Sequence, residues 1–353
     1  MVQAHVLEGW MSKAREVLFW EGIGKSRMDV IMLFDPGIRS WNKGDEIIMR
    51  SAETALSERG ILDNAFVVHA ATHAPVVTRY QNTSRNPHMK IYDNAKYKFI
   101  CGSNILWKNM RKPLPSMNAN PFNCRPYAGS ILMGTGIGQS EDKVNGYTKR
   151  LYGKILSKDW IHSTRDARTA DFLQSLGYDA IDTGCPTMWR FTPDFCKDIP
   201  HEKSRNVVFT LTDYGKDYEH DQRLMEILKE HYETVYFWIQ GVRDKEYFDS
   251  LEGTDGIHVI PPSPDAYSQV LTDYDIDYVG TRLHAGLFAM QHKKRTIILA
   301  IDNRVRDMKK SYALHTLERN ALESLPEYIE SEFATDIHLK QNHIDRWVEQ
   351  FMK

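Results

Sequence analysis

The chain has 353 residues, 42% of them hydrophobic and 26% charged, a balance that excludes a disordered or collagen-like protein and makes two domains the natural prior. Forty-five Lys and Arg residues stand against 47 Asp and Glu, a formal charge of −2, so the bulk charge does not call for nucleic acid as a partner. Cys101, Cys124, Cys185 and Cys196 show no Cys-x-x-Cys spacing, which fits reduced thiols in a cytoplasmic protein better than a disulfide framework or a zinc cluster.

Residues 1–25 place Leu7, Met11, Ala14 and Leu18 at helical spacing among charges of both signs. That pattern predicts an amphipathic helix packed on the adjoining domain, without the strongly cationic face of a membrane-surface helix. The longest apolar runs, such as residues 297–301, fall far short of the roughly 20 residues needed to cross a bilayer, so no transmembrane segment is expected.

From Met28 onward strands and helices alternate. Strands are predicted over 30–34, 65–71, 97–101 and 130–133, with a helix over 44–59. The polar stretches 80–96 and 113–126 read as long loops of the kind that carry function. A break follows Pro186, and residues 190–205 mix Pro193, Pro200 and charges without a period. The same grammar then restarts: strands over 206–210, 234–238, 257–260, 278–280 and 296–301, and helices over 221–231, 265–271 and 285–291. The stretch 327–353 reads as helical. The predicted organisation is therefore an N-terminal α/β domain over 1–195, a C-terminal α/β domain over 205–320 and a C-terminal helical segment over 321–353 that braces them. Near-continuous apolar strands favour parallel sheets covered on both faces, with ligands at the strand C-terminal ends.

Several motifs fail on inspection. Gly24-Lys25-Ser26 lacks the upstream glycine of a phosphate loop, Phe19 standing in its place. Gly134-Thr135-Gly136-Ile137-Gly138 follows a strand, but its alternating glycines do not match a dinucleotide fingerprint; they read as a turn that lets a ligand or loop approach. Asp273, Asp275 and Asp277 lack the glycine and the terminal glutamate of a calcium loop, and their alternation with Tyr274, Ile276 and Tyr278 reads as the start of a strand. No metal site is expected.

Three motifs remain. In residues 277–286 a buried strand ends, Gly280 turns the chain and a helix starts at once. Backbone N–H groups there converge with Thr281 and with the guanidinium of Arg282, a fork suited to carboxylate or phosphate. His284 can move a proton near neutral pH, although a helix cap beside a buried histidine would look the same. In residues 163–169, Ser163 or Thr164 could cap a helix with Asp166 in its first turn and Arg165 projecting from its end. In residues 42–46, Asn42 and Gly44 allow close approach and Asp45 serves as cap or base.

Together these residues resemble the polysaccharide pyruvyl transferase family. The resemblance rests on Asn42-Lys43-Gly44-Asp45, the turn 134–138, Arg165-Asp166 with Leu173 and Gly177 behind, Arg282-Leu283-His284, and the strand from Thr296 to Asp302. It covers about residues 28–304. Two departures stand out: Gly102-Ser103-Asn104 where the family often has a glycine run, and Arg304 where a lysine is common.

The resemblance implies two facing Rossmann-like domains around a central cleft, the GT-B-like arrangement. It also implies transfer of the enolpyruvyl group of phosphoenolpyruvate onto a sugar as a ketal, with no cofactor. The acceptor side would lie on the N-terminal domain and the donor side on the C-terminal one. It gives His284 as general acid and Asp45 as base, with Arg282, Leu283, Thr281 and Arg165 on the donor. Asn42, Gly44, Gly102, Ser103, Asn104 and Thr135 complete the binding surface. The partners expected are phosphoenolpyruvate and a sugar, lipid-linked in some pathways, in which case the cytoplasmic protein would touch the inner membrane face. A glycosyltransferase using a nucleotide sugar is the alternative activity, and a sugar-binding module with stacking aromatics such as Trp107, Trp189, Tyr127 and Trp238 is a third.

Overall fold

A computed structural model of the chain describes residues 28–83, 86–111, 117–138 and 143–352. The helix read over residues 1–25 lies outside these, as does part of the 113–126 loop. The described residues form two α/β units: 28–39, 52–185 and 342–352 make the first, and 40–51 with 186–341 the second.

The elements of the first unit begin with β1 (Asp29–Asp35). Helix α1 (Lys43–Ser57) follows, its first turns counted with the second unit. Then come β2 (Ala65–Ala71), α2 (Met89–Asp93), β3 (Tyr97–Cys101) and β4 (Ile131–Met133). After these come α3 (Gly146–Ile155), β5 (His162–Thr164), α4 (Ala167–Gln174) and β6 (Ala180–Asp182). Four strands pair in the order β2-β1-β3-β4, all parallel, and β5 pairs with β6. Six of the seven β1 residues and all of β3 are buried, as expected of strands covered on both faces. Strand β2, at the edge, is largely part-exposed. The order reverses between β1 and β3, so Gly102-Ser103-Asn104 begin at the C-terminal end of a switch-point strand.

The second unit holds α5 (Pro193–Cys196), β7 (Asn206–Thr210), α6 (Tyr218–His231), β8 (Thr234–Trp238), α7 (Asp244–Asp249) and β9 (His258–Ile260). It continues with α8 (Pro264–Asp273), β10 (Ile276–Gly280), α9 (Leu283–Gln291), β11 (Thr296–Ala300), α10 (Asn303–Tyr312), β12 (Thr316–Glu318) and α11 (Leu325–Glu330). The sheet runs β12-β11-β10-β7-β8-β9, again all parallel. Its switch point lies between β7 and β10. Both units are therefore Rossmann-like, with parallel sheets.

Three sequence expectations need correction. Residues 327–353 are not one helix: the chain leaves α11 at Glu330 and returns to helix only at α12 (Gln341–Glu349). Tertiary bonds hold the intervening segment open, because Ser331 O accepts from Arg295 and Phe333 N donates to His201 O. Ser163 and Thr164 do not cap a helix; they lie in β5, and Asp166 is the cap of α4, accepting from Thr169 N at 2.8 Å. Residues 186–195, read as the end of the first domain, group with the second unit, as do residues 40–51.

Helix α12 packs within the first unit. Phe351 stacks on Trp160 at 5.3 Å and meets Phe99 edge-on at 5.2 Å, while Trp347 is fully buried. Each such ring contributes about 1.5–3 kcal/mol through burial. In the second unit Asp277, read as the start of a strand, lies within buried β10, where it pairs with Arg295 at 2.8 Å and accepts from Tyr232 Oη at 2.9 Å. That pairing is what lets a carboxylate occupy a strand interior.

Candidate active site

The motif around Arg282 sits at the C-terminal ends of β7 and β10. Gly280 is required there: a Cβ would lie 2.6 Å from both Thr210 N and Thr210 Oγ1. The strands can therefore approach closely, and their ends are laced together. Thr210 Oγ1 and Tyr278 Oη are 2.6 Å apart, Tyr278 Oη donates to Arg282 O at 2.8 Å, and Arg282 N donates to Thr210 Oγ1 at 3.2 Å. Thr281 is turned inward, its Oγ1 2.8 Å from Thr212 Oγ1, and Leu283 joins the apolar core under α9.

Arg282 is not an open fork. Its guanidinium is buried, forms a bidentate pair with Asp244, donates to Asp213 Oδ1 at 3.0 Å and to Leu211 O at 3.1 Å, and lies 5.0 Å from the centre of the Tyr214 ring. Burial lowers the guanidinium pKa, but Asp244, Tyr214 and Asp213 more than reverse this, so Arg282 stays charged. Burial pushes the Asp244 carboxyl upward and Arg282 pulls it back. Asp244 also accepts from Gly241 N at 2.7 Å and Asp213 N at 3.2 Å. Arg282 thus ties the loops after β7, β8 and β10 into one platform at the start of α9.

Segment 40–46 lies against this platform. Asn42 forms an antiparallel bridge with Gly241, Lys43 N donates to Gln240 O at 2.9 Å, and Val242 N donates to Trp41 O at 3.0 Å. Asn42 Oδ1 accepts from Gly44 N at 3.0 Å, capping α1, and from Gln240 Nε2 at 2.7 Å. A Cβ on Gly44 would stand 2.9 Å from Gln240 Nε2 and 3.4 Å from the Cβ of His284. Asp45 is buried and accepts from Ser40 Oγ at 2.6 Å. Asn42, Gly44 and His284, far apart in sequence, therefore meet within one unit, with Asp45 in the same first turn of α1.

In the first unit a second cluster gathers Gly102, Ser103, Asn104, Thr135 and Arg165. Gly102 and Ser103 both have left-handed backbone, φ 60° and 59°, a conformation that carries strain at Ser103. Gly102 N donates to Met133 O at 2.7 Å, Gly136 N to Ser103 O at 2.8 Å, and Arg165 N to Thr135 O at 2.9 Å. A Cβ on Gly136 would overlap Asn104 Oδ1 and come within 2.9 Å of the Arg165 guanidinium. Glycine at 136 is what lets that guanidinium lie over the turn. Arg165 Nη2 donates to Asp166 Oδ2 at 3.2 Å, while buried Asn104 Oδ1 and Thr135 Oγ1 have no hydrogen-bond partner among the described residues. A buried polar group left so is costly unless a ligand or solvent meets it.

Sequence reasoning missed Gln240, Gly241, Asp244 and Asp213. The signal that finds the first two is positional: they lie in the loop just after β8, where parallel sheets place their ligands. Gly241 matters because a Cβ there would collide with Arg282 Nη2. Among the described residues no group of three or more His, Cys, Asp or Glu side chains is placed to hold a metal ion, and no helix is long and apolar enough to cross a membrane.

The profile of the polysaccharide pyruvyl transferase family matches residues 42–303, a span that contains both clusters. Among solved structures, UDP-GlcNAc 2-epimerase from Methanocaldococcus jannaschii is similar at a TM-score of 0.50 and 11% identity, over 92% of this chain and 99% of that one. A co-structure of S. aureus MnaA with UDP aligns at a TM-score of 0.48 and 10% identity, over 92% and 98%. At such identities the likeness concerns the fold alone. Among curated proteins no relative matches this chain.

Proposed function

The chain belongs to the polysaccharide pyruvyl transferase family, and on that premise we propose that it moves the enolpyruvyl group of phosphoenolpyruvate onto two hydroxyls of a sugar as a ketal. The observation that carries the reading is the meeting of Asn42 and Gly44 with His284 over the Arg282 platform. An imidazole beside a helix start can protonate a substrate whose negative charge the helix end attracts.

In the proposed reaction His284 delivers a proton to the methylene carbon of phosphoenolpyruvate, leaving oxocarbenium character on the central carbon. A sugar hydroxyl attacks that carbon and gives its proton to a base, for which Asp45 is the candidate. The bond to phosphate oxygen breaks, inorganic phosphate leaves, and a second hydroxyl closes the ketal with loss of its proton. No step calls for a metal or a cofactor. Because the Arg282 side chain is committed to Asp244 and Asp213, its proposed role is to fix the N-terminus of α9, whose backbone N–H groups meet the anion. Arg165, beside Asn104 and Thr135, is proposed as a separate anion anchor in the first unit.

The test is incubation with phosphoenolpyruvate and a panel of lipid-linked and nucleotide-linked sugars. Phosphate release together with a pyruvate-ketal mass gain on one sugar is the expected result. Phosphoenolpyruvate should also raise the thermal midpoint, since a ligand that binds only the native state stabilises it. Stabilisation by nucleotide sugars alone, with glycosyl transfer and no phosphate release from phosphoenolpyruvate, would replace this reading with the glycosyltransferase one.

A further inference from the structure

Gln240 is one of the residues of this site that no sequence motif announces. It is 3% exposed and stands just beyond β8. Its amide orientation follows from its neighbours. Asn42 Oδ1 already accepts the Gly44 N–H at 3.0 Å, so the group that Gln240 presents to it at 2.7 Å must be the donating nitrogen. The Gln240 oxygen therefore faces elsewhere, and this buried Oε1 has no hydrogen-bond partner among the described residues. The neighbouring segment is fixed by main-chain bonds on either side, Lys43 N to Gln240 O and Val242 N to Trp41 O. The amide nitrogen is tied to Asn42 Oδ1, which sets the direction of the oxygen.

A buried carbonyl oxygen seeks a donor. Ionised phosphoenolpyruvate has none to give: its carboxylate and phosphate oxygens accept. A sugar is rich in O–H donors. The flanking surface agrees, since Trp41, one residue before Asn42, is 74% exposed and Val242, whose N–H meets its carbonyl, is 63% exposed. An open indole beside buried polar atoms suits the mixed apolar face and hydroxyl edge of a pyranose.

We propose that Gln240 Oε1 accepts a hydroxyl hydrogen of the sugar that receives the pyruvyl group, so that Gln240 and Asn42, on the second unit, seat the acceptor and set which sugar is used. This inference rests on the pyruvyl-transfer reading for the identity of the sugar as acceptor. The assignment of a sugar hydroxyl to Gln240 rests on the geometry around its amide and stands apart from that reading.

The experiment separates the two. Methyl glycosides of galactose, mannose, N-acetylglucosamine and N-acetylmannosamine are titrated by ligand-observed NMR into the full chain and into Gln240→Met, which keeps length and loses the acceptor oxygen. Phosphoenolpyruvate is titrated by calorimetry into both, and thermal midpoints check folding. Gly44→Ala serves as a second variant, because its new Cβ meets Gln240 Nε2 at 2.9 Å and must push the amide aside without altering its chemistry. The expected result is at least one glycoside bound by the unaltered chain, roughly tenfold weaker binding in Gln240→Met and Gly44→Ala, and unchanged phosphoenolpyruvate affinity in Gln240→Met. Unchanged glycoside binding in Gln240→Met, a parallel loss of phosphoenolpyruvate affinity, or no glycoside bound by the unaltered chain would each overturn the proposal. Gln240-dependent sugar binding without any turnover of phosphoenolpyruvate would instead overturn the activity and keep the sugar site.

Discussion

Arg282 and Asp244 form a bidentate ion pair with both side chains buried, 3% and 0% exposed, and Asp213 completes the guanidinium's carboxylate partners. Two carboxylates on one guanidinium leave little attraction for a further anion. The arginine of the Arg-Leu-His motif is therefore committed within the protein, which is why its proposed role is to position the turn into α9, with anion binding proposed for the helix start.

That assignment fixes the expected outcome of Arg282→Met. Asp244 would be left buried without its countercharge, at a cost of about 3–5 kcal/mol in unfolding free energy by urea titration. Asp244→Asn together with Arg282→Met should recover part of it. A loss below about 1 kcal/mol would show that the pair does not organise the platform.

His284→Ala should abolish ketal formation while leaving the thermal midpoint near that of the unaltered chain, because His284 is only part-buried. Mass spectrometry of the sugar product reads the first quantity and calorimetry the second. Retained product formation would remove His284 as the acid.

Gly136→Ala inserts a methyl that overlaps Asn104 Oδ1 and presses on Arg165 at 2.9 Å. The guanidinium must move. Phosphoenolpyruvate affinity is expected to fall about tenfold or more with far-ultraviolet circular dichroism unchanged; equal affinity would take Arg165 out of donor binding.

His162 gives a pH prediction independent of activity. Leu132 N–H donates to its Nδ1 at 3.1 Å and its Nε2–H donates to Ser157 O at 2.9 Å, so the buried ring is held neutral. Burial lowers its pKa to about 4, against an unfolded value near 6.5. Between these values the unfolded chain binds the extra proton, so stability is full above about pH 6.5 and falls as pH drops toward 4, by about 3 kcal/mol. His162→Gln should flatten that slope in urea titrations at several pH values; an unchanged slope would assign it to other groups.

Arg295 is fully buried, paired with Asp277, and donates to Ile329 O at 2.9 Å and Ser331 O at 2.7 Å. Arg295→Met should cost about 3–5 kcal/mol and free the chain after α11, seen as faster amide exchange over 331–337. Stability loss without local exchange would confine Arg295 to its pairing with Asp277.

Local chemistry made much of this legible. Runs rich in apolar residues located β2, β3, β7 and β8 at their observed limits; for β3 and most of β7 the physical reason is burial on both faces. Gly280 and Gly136 read as turns, whereas Gly280 ends β10 and both serve close approach, to Thr210 and to Asn104 with Arg165. Strands β5, β6 and β12 were not legible, since His-Ser-Thr, Ala-Ile-Asp and Thr-Leu-Glu form no apolar run and exist as strands only through their partners.

By itself the sequence determined the parallel α/β grammar and the motifs that carry the family likeness, because strand burial and glycine turns are written residue by residue. Only the tertiary structure decided that Arg282 spends its donors on Asp244 and Asp213, that residues 40–51 side with the second unit, and that Gln240 adjoins Asn42 and Gly44. Those facts depend on which loops a sheet's strand order brings together, and a hydrogen bond between distant loops leaves no periodic trace along the chain.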